Sequence, residues 1–379
     1  VEAIGGVQHI AISATREKWE EVQRRLDEAG VPHAGPDLGI PESMYFKDPD
    51  GIQIETKRFA TTRENFLAMA AELREGDTAA LEVTTNSTSI ARLIRAGSKA
   101  RVIVSNPIKT KTIAQAKIKT DKIDATILAH LLRADLVPVA YVPGDAARTL
   151  RQALRERMFY VRLRTMVKNR VVTIFDRYPE QTRPLREVTD LFGKLGRAHL
   201  VTLSFSEIDR IQIDRSLAFI DDINGHIKAA EATIRKFSRS NADVKRLKTI
   251  PGLGEFFARL IAAEIDDISR FRSAKKLAAY AGLVPSTYSS GGKTFHGRII
   301  KAGNKWLRWA FVEAVSPAIA ADPALKFDYE RLKATKGANR AKVAVARKLL
   351  TIAYQVLRDK RDYERRDALV PSSTESRLS

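Results

Sequence analysis

The sequence predicts two kinds of structure in one chain, an α/β layer followed by a mostly α-helical region. Short apolar strands flank a single helix between residues 79 and 105, which is the pattern of a βαβ unit. Two long segments with helical periodicity follow, at 146–175 and 209–238. The 379 residues can form more than one domain, because single hydrophobic cores stop growing well below that size.

The charge of the chain is large and unevenly distributed. The net charge of +20 indicates a polyanionic partner. Residues 1–56 hold 5 Lys/Arg and 11 Asp/Glu, so the positive excess lies entirely in the remainder. The absence of cysteine excludes disulfides and thiolate metal sites and suits a cytoplasmic protein. No apolar run has the length of a membrane span, so we expect no membrane partner.

The acidic first segment predicts a βαβββ unit. The stretch GVQHIAIS is typical of a strand, and a following amphipathic helix ends at Gly30. Two further strands flank a DPDG turn at 48–51. Because the net charge changes sign after residue 56, we interpret residues 1–56 as a separate piece of the chain.

Three carboxylates of the α/β layer are candidate metal ligands. Glu82 lies near the carboxyl end of its strand, where open α/β sheets place their sites, although a solvent-facing Glu is the alternative. Asp121 and Asp124, in KIKTDKIDA, share one face of a helix, or they only favour the dipole of a helix capped by Thr120. Gathered together, the three would repel one another unless Mg²⁺ held them. Lysines beside them would face nucleic-acid phosphates: Lys117, Lys119 and Lys122.

The two long helical segments predict a basic arm. Segment 146–175 has eight Arg/Lys and one Glu. Segment 209–238 repeats apolar residues at steps of three, four or seven, which predicts a coiled coil that can pair with a second subunit. The alternative is a two-helix hairpin that packs on itself.

A turn with two glycines predicts contact with the nucleic-acid backbone. In TIPGLGEFFARLIAAEI, at 249–265, Gly252 and Gly254 permit a tight turn with free N–H groups at a helix N-terminus. Helix-hairpin-helix proteins use this arrangement to hold the DNA backbone without reading bases. A turn without a ligand is the alternative.

The stretch at 285–312 has no acidic residue and suggests a serine nucleophile. Ser289 and Ser290 precede two glycines on an expected mobile loop, for which a flexible linker is the alternative. A serine attacks a phosphodiester only if its proton is removed and the phosphate charge is neutralised. The cations for that neutralisation are Lys293, Arg298, Lys301, Lys305 and Arg308.

From about residue 58 to 365 the chain resembles the insertion-sequence 110 family of transposases, the DEDD recombinases related to Piv-type invertases. The segments that carry the resemblance include RFATTRENF, ALEVTTNS, VSNPIKTK, KIKTDKIDATILAHLL, TIPGLGEFFARLIAAEI, FRSAKKLAAYAGLVPSTYSSGGKTFHGRIIKAGNKWLR and VAVARKLL. The resemblance implies a RuvC-like, RNase H-type domain, a coiled-coil arm and a helical transposase domain with a helix-hairpin-helix. We accordingly expect these at 57–145, 146–245 and 246–366, before a disordered tail at 367–379.

The same resemblance assigns roles to the candidate residues. Glu82, Asp121 and Asp124 match three members of the Mg²⁺-binding DEDD tetrad, and Ser290 matches the family's nucleophile, with Ser289 as the neighbouring alternative. The family cuts and rejoins double-stranded DNA through a phosphoserine link assembled between subunits. Some members take their target sequence from a bridge RNA, so the resemblance implies DNA, a structured RNA and a second subunit as partners.

The beginning of the chain departs from the family pattern. Family members open with a GxDxxK strand that supplies the first Asp of the tetrad, and the chain has no such segment. Residues 1–56 instead resemble half of a vicinal-oxygen-chelate module of the glyoxalase type, in which His9 and Glu55 would be metal ligands. We therefore expect a gene fusion and an impaired transposase. The alternatives are a non-catalytic nucleic-acid binder and, with less support, a glyoxalase-type metalloenzyme.

Overall fold

A computed structural model describes residues 10–14, 43–47, 53–57, 62–113, 121–238, 241–300 and 302–365. The helix expected before Gly30 and the tail expected at 367–379 lie outside these residues. The chain divides into two compact units, Val1–Val142 and Pro143–Ser379, and each is described by itself.

A five-stranded sheet forms the centre of the first unit, in the order β2-β3-β1-β4-β5. Strands β4 and β5 are parallel, as expected for a βαβ unit, and the other neighbouring strands are antiparallel. The strands expected in residues 1–56 therefore lie in the same sheet as the βαβ unit. The strands are β1 (Ile10–Ala14), β2 (Ser43–Lys47), β3 (Gln53–Lys57), β4 (Thr78–Glu82) and β5 (Arg101–Ser105).

Helices cover both faces of this sheet. Helices α1 and α2 bury Phe66, Met69, Ile90 and Ile94 against one face, together with Leu81 of β4. Helix α4 packs on the opposite face, against β1, β3 and β4. The described helices of this unit are α1 (Arg63–Glu72), α2 (Ser87–Gly97), α3 (Pro107–Ile113) and α4 (Asp121–Arg133).

Two helices of equal length form the arm of the second unit. Helix α5 (Asp145–Phe175) packs along α8 (Glu207–Phe237), and the apolar positions of α8 such as Ile213, Ile220 and Ile227 are buried. A helix of the same chain therefore covers the predicted apolar repeat. This is the arrangement of the alternative, a two-helix hairpin that packs on itself. At the far end of the arm, where α5 ends and α8 begins, a separate apolar cluster forms. It includes residues of a 3₁₀ turn (Arg183–Glu187), which follows α6 (Pro179–Thr182), and of α7 (Lys194–Thr202).

The rest of the second unit is a helical bundle with one β-hairpin. Its core includes Phe311, Leu349 and Leu350, and the first half of α5 contributes Leu150 and Leu154. The elements are α9 (Ala242–Leu247), α10 (Glu255–Ile265), a 3₁₀ turn (Ile268–Arg270), α11 (Ala274–Ala281), β6 (Pro285–Ser290), β7 (Lys293–Ile299), α12 (Lys305–Ala321), α13 (Pro323–Lys336) and α14 (Ala338–Asp359).

Candidate catalytic and nucleic-acid-binding sites

Glu82 lies on the face of the sheet that α4 covers. It is the last residue of β4, and its exposure is intermediate. Ala80, two residues earlier, packs against Leu128 and Ala129 of α4. Because alternate residues of a strand point to the same face, Glu82 shares this side with Ala80.

Asp124 belongs to the same layer of the unit. It lies one turn before Leu128, so it shares the helix face that packs on the sheet, and its exposure is also intermediate. Asp121 is the first residue of α4, and Lys122 is the second. The side chains of Asp121 and Lys122, and all of Lys117 and Lys119, lie outside the described part of the chain.

The described side chains do not by themselves complete a metal centre. They include no group of three or more His, Asp or Glu that could hold an ion. The structure thus brings Glu82 and Asp124 to one side of the sheet, while the third predicted ligand, Asp121, is not among the side chains described. His9 also lies outside the described residues, and the backbone of Glu55 pairs with Ile12 and Tyr45.

The segment with the two candidate serines is a β-hairpin, so the prediction of a loop was wrong in its secondary structure. Strands β6 and β7 pair antiparallel, with Ser289 opposite Thr294 and Ser290 opposite Lys293. Gly291 and Gly292 form the turn with φ values of +56° and +77°. Two successive positive φ values are typical of the tight turns that join hairpin strands and favour glycine.

The two serines lie on opposite faces of this hairpin. The Ser289 hydroxyl is 3.1 Å from the Thr294 hydroxyl, in a hydrogen bond across the strands. Ser290 shares its face with Lys293 and with the pair Tyr288 and Phe295, which are 73% and 67% exposed. The face of Ser290 therefore combines a hydroxyl, a cation and two accessible rings at the tip of the hairpin.

The basic residues predicted around this hairpin divide into accessible cations and one arginine that bonds to backbone carbonyls. Lys293 and Arg298 are exposed on β7, and Lys305 begins α12, with its ammonium 5.0 Å from the Trp306 ring centre. Arg308 instead donates from Nη1 to the carbonyls of Ala281 and Ile300, each at 3.2 Å. Arg308 thus has a structural role that its sequence position does not reveal. Lys301 lies outside the described residues.

The two-glycine turn lies between α9 and α10, where a helix-hairpin-helix was predicted. Gly252 has φ +82°, and a Cβ atom there would lie 2.4 Å from the Ala314 carbonyl oxygen. The turn therefore packs closely on α12 and requires glycine. Gly254 precedes α10 and has open space around it. A cleft of about 460 Å³ beside the turn is also lined by Lys248, Tyr363 and Arg365.

A charged group adjoins this turn. Glu255, the first residue of α10, forms ion pairs with Lys248 and with Arg259, whose Nη2 lies 2.6 Å from Oε1. The hydrogen bond with Lys248 lowers the pKa of the Glu255 carboxyl, and the charge of Arg259 acts in the same direction. The carboxylate therefore neutralises part of a basic surface next to the predicted phosphate site.

A buried carboxylate that the sequence interpretation missed connects the arm to the bundle. Glu264 is 1% exposed, and its two oxygens accept hydrogen bonds from Arg155 Nη2 at 3.0 Å and Asn304 Nδ2 at 2.9 Å. Arg151 donates to the carbonyls of Ala263 and Glu264. The signal in the sequence is a Glu inside the apolar run LIAAEI, since a buried carboxylate requires cationic partners.

Two family models match the chain in the order expected from its sequence. A DEDD transposase model of the IS110 type matches residues 43–179, and the model described as "Transposase IS116/IS110/IS902 family" matches residues 244–330. The first match contains Glu82, Asp121 and Asp124, and the second contains the two-glycine turn and the serine hairpin.

The chain belongs to the IS110/IS116 family of transposases. The first match starts at residue 43 and so includes β2 and β3. The comparisons therefore give no support to the predicted glyoxalase-like origin of residues 1–56.

Individual relatives agree with the two family models. The pilin gene-inverting protein of Moraxella bovis is 29% identical over 273 residues, 70% of this chain and 75% of its own. The transposase for insertion sequence element IS1111A of Coxiella burnetii is 33% identical over 138 residues, 35% and 38% of the two chains. A mini-circle protein of IS117 from Streptomyces coelicolor is 27% identical over 305 residues, 66% and 73% of the two chains.

The chain is accordingly a DNA transposase or recombinase of an insertion sequence, a mobile element. Among the helices described, none is both long and apolar enough to cross a membrane.

Proposed function

We propose that the chain cleaves and rejoins double-stranded DNA with Ser290 as nucleophile and with Glu82, Asp121 and Asp124 as ligands of Mg²⁺. The observation that carries the proposal is the placement of Glu82 and Asp124 on one side of the sheet, within the DEDD family match. DEDD transposases use divalent metal ions. Oxygen ligands from carboxylates are what Mg²⁺ prefers, so the donor set fits this ion.

The cleavage step follows from the chemistry of serine. The Ser290 oxygen attacks the scissile phosphorus and loses its proton to a base. The bond from phosphorus to one deoxyribose oxygen breaks, and that oxygen leaves as a hydroxyl. The new phosphoserine keeps the phosphodiester bond energy, so attack by a second DNA hydroxyl rejoins a strand and restores the serine. Bound Mg²⁺ would stabilise negative charge on the phosphate oxygens.

The hairpin supplies groups that suit this step. Lys293 lies directly opposite Ser290 and places a cation beside the attacked phosphate. Tyr288 and Phe295 expose ring surface on the same face, which allows stacking against a base next to the cleavage point. Ser289 is held by Thr294 on the other face, and this favours Ser290 as the nucleophile.

We propose that the activity of this chain is reduced. The sequence lacks the family's GxDxxK strand, so one of the four carboxylates has no counterpart. Loss of a ligand from a metal centre of this kind removes orders of magnitude of rate. We propose that a gene fusion replaced this strand, and the DNA upstream of this reading frame tests it. A neighbouring frame that encodes GxDxxK would support the fusion, and an uninterrupted upstream frame would argue against it.

The proposed cleavage and rejoining of DNA implies several partners for the chain. They are the ends of the insertion element and its target DNA, a bridge or guide RNA, and a second copy of the chain. We place this activity in the cytoplasm.

Incubation with Mg²⁺ and insertion-element ends tests the proposal. We expect weak strand cleavage and joining by the unmodified protein, and none when Asp121→Asn and Asp124→Asn are combined. Joining at a high rate would contradict the proposed impairment. Cleavage that is unchanged in the double variant would contradict the assigned carboxylates.

The second candidate is a non-catalytic nucleic-acid binder. The exposed cations of the hairpin and the cleft beside the two-glycine turn favour it, because neither needs a metal to hold phosphates. Salt-sensitive DNA binding without cleavage or a covalent link would select this function.

A glyoxalase-type enzyme that uses His9 and Glu55 has the least support. Strand β3, which contains Glu55, lies in one sheet with β4 and within the transposase family match. Tight Fe²⁺, Mn²⁺ or Zn²⁺ binding that His9→Ala abolishes would restore this candidate.

A further inference from the structure

A second basic cleft adjoins the two-glycine turn, and none of the site residues assigned above from the sequence lines it. It has a volume of about 560 Å³ and lies between the end of α8, the helix α9 and the start of α10. Five of the residues that line it are cationic and one is acidic. They are Arg235, Lys236, Lys245, Lys248, Arg259 and Glu255.

The positive charge of this cleft exceeds what its own carboxylate can neutralise. Glu255 forms ion pairs with Lys248 and Arg259. Within the described part of the chain, Arg235, Lys236 and Lys245 form no ion pair, and all three are exposed. The cleft is therefore a concentrated positive site facing solvent.

The side chain of Arg259 adds a second, independent observation. It is 15% exposed, and its Nε atom is buried without a hydrogen-bond acceptor among the described residues. A buried guanidinium donor normally has an acceptor, because losing its hydration is costly. Arg259 lines the cleft, and a small rotation of its side chain would bring this donor to an oxygen of a bound anion.

Helix ends alone do not explain this arrangement. Cations in the last turn of a helix complement its dipole, which accounts for Arg235 and Lys236 on α8 and for Lys245 on α9. The dipole does not require the two helix ends to direct their cations into one cleft. Nor does the dipole account for the Nε atom of Arg259, which has no acceptor among the described residues.

The ligand is best described as an extended polyanion. Lys248 lines both this cleft and the one beside the two-glycine turn, so the two clefts meet at one residue. A small anion would fill one of them, whereas a chain of phosphates can occupy both. We propose that a nucleic-acid backbone runs from the two-glycine turn to the root of the arm, with successive phosphates in the two clefts. The inference rests on the proposed DNA-binding function and extends its surface.

A charge-removal experiment on the full chain tests this inference. Arg235→Ala combined with Lys236→Ala removes two exposed cations from the cleft. Lys326→Ala combined with Lys336→Ala is the matched control, since both residues are exposed on α13 and line neither cleft. Binding is measured in EDTA with duplex DNA and, separately, with duplex RNA of equal length, over a series of salt concentrations. Circular dichroism establishes that each variant is folded.

We expect the cleft variant to bind about tenfold more weakly than the control variant at 0.1 M salt. Its slope of log K against log salt should be smaller by about two, because each lost phosphate contact removes about 0.9 from the slope. The loss appears with DNA, with RNA or with both, and the measurement that shows it identifies the nucleic acid. Equal affinity and slope for the cleft and control variants with both nucleic acids would overturn the inference.

Failure of this inference is distinguishable from failure of the proposed function. The binding experiment contains no free metal and does not involve Asp121 or Asp124. If the cleft variant matches its control while the Asp121→Asn and Asp124→Asn substitutions still abolish cleavage, only the second cleft is refuted.

Discussion

At the scale of single residues, the two neighbouring serines have different surroundings and should behave differently. We expect Ser290→Ala to abolish any covalent protein–DNA adduct, because the attacking oxygen is removed. Ser289→Ala should retain the adduct, since its hydroxyl bonds to Thr294 on the other face of the hairpin. Denaturing gel electrophoresis with end-labelled DNA measures both. An adduct that persists in Ser290→Ala and disappears in Ser289→Ala would reverse the assignment.

Gly252 and Gly254 form a second residue-scale comparison. Gly252→Ala places a Cβ atom against backbone atoms of α12 at a φ of +82°, so we expect a loss of about 1–3 kcal/mol in the free energy of unfolding. Gly254→Ala has φ −70° and open space, and it should be close to neutral. Thermal unfolding followed by circular dichroism measures the difference. Equal destabilisation by both substitutions would contradict the close packing of Gly252 on α12.

At the scale of helices and strands, Glu264 tests how the arm is held to the bundle. Its carboxylate joins α10 to Arg155 of α5 and to Asn304, which also caps α12. Glu264→Ala removes the acceptor of the Asn304 amide and the ion-pair partner of the largely buried Arg151, and we expect a loss of about 3–5 kcal/mol. Glu313→Ala, on the exposed face of α12, is the control and should have little effect. Similar urea midpoints for both variants would show that the buried carboxylate contributes little.

The far end of the arm has a predictable dependence on pH. A 2.7 Å hydrogen bond from the Tyr178 hydroxyl lowers the pKa of Asp209 below its ordinary 3.8, with help from Ser206 and Arg177. A lowered native pKa stabilises the fold above the unfolded pKa, and this stabilisation is lost as the pH falls through the native value.

The variant Tyr178→Phe tests that dependence. At neutral pH we expect it to melt at a lower temperature than the unmodified protein, and this difference should shrink as the pH is lowered below 3.8. Melting curves from pH 7 to pH 3 provide the measurement. A difference that is constant over this range would show that the Asp209 carboxylate is not its source.

Helical periodicity and the βαβ pattern were sufficient to predict the βαβ unit and the two long helices of the arm. The segments expected at 146–175 and 209–238 correspond to Asp145–Phe175 and Glu207–Phe237, because long amphipathic stretches are set by local sequence. The serine hairpin was not predicted as strands, since both of its faces carry exposed side chains and no apolar alternation results. The partners of Arg308 and Glu264 depend on contacts distant in sequence, which periodicity does not reveal.

At the scale of the whole molecule, the distribution of charge agrees with a nucleic-acid partner. The net charge of +20 arises after residue 56, and exposed cations occur at the serine hairpin and around the two-glycine turn. Ion pairs such as the one between Glu255 and Arg259 neutralise only part of this positive charge. The excess gives long-range attraction to DNA, while the catalytic claim depends on the carboxylates of the sheet.

Metal binding by those carboxylates is the most direct test of the account. Titration of the full chain with Mn²⁺, as a paramagnetic substitute for Mg²⁺, is followed by electron paramagnetic resonance. We expect Glu82→Gln, Asp121→Asn and Asp124→Asn each to weaken binding at least about tenfold, as disturbed metal sites do. Glu64→Gln, which changes an exposed carboxylate at the start of α1, should leave binding unchanged. Equal Mn²⁺ binding by all five proteins, or none by the unmodified chain, would contradict a metal centre at Glu82, Asp121 and Asp124.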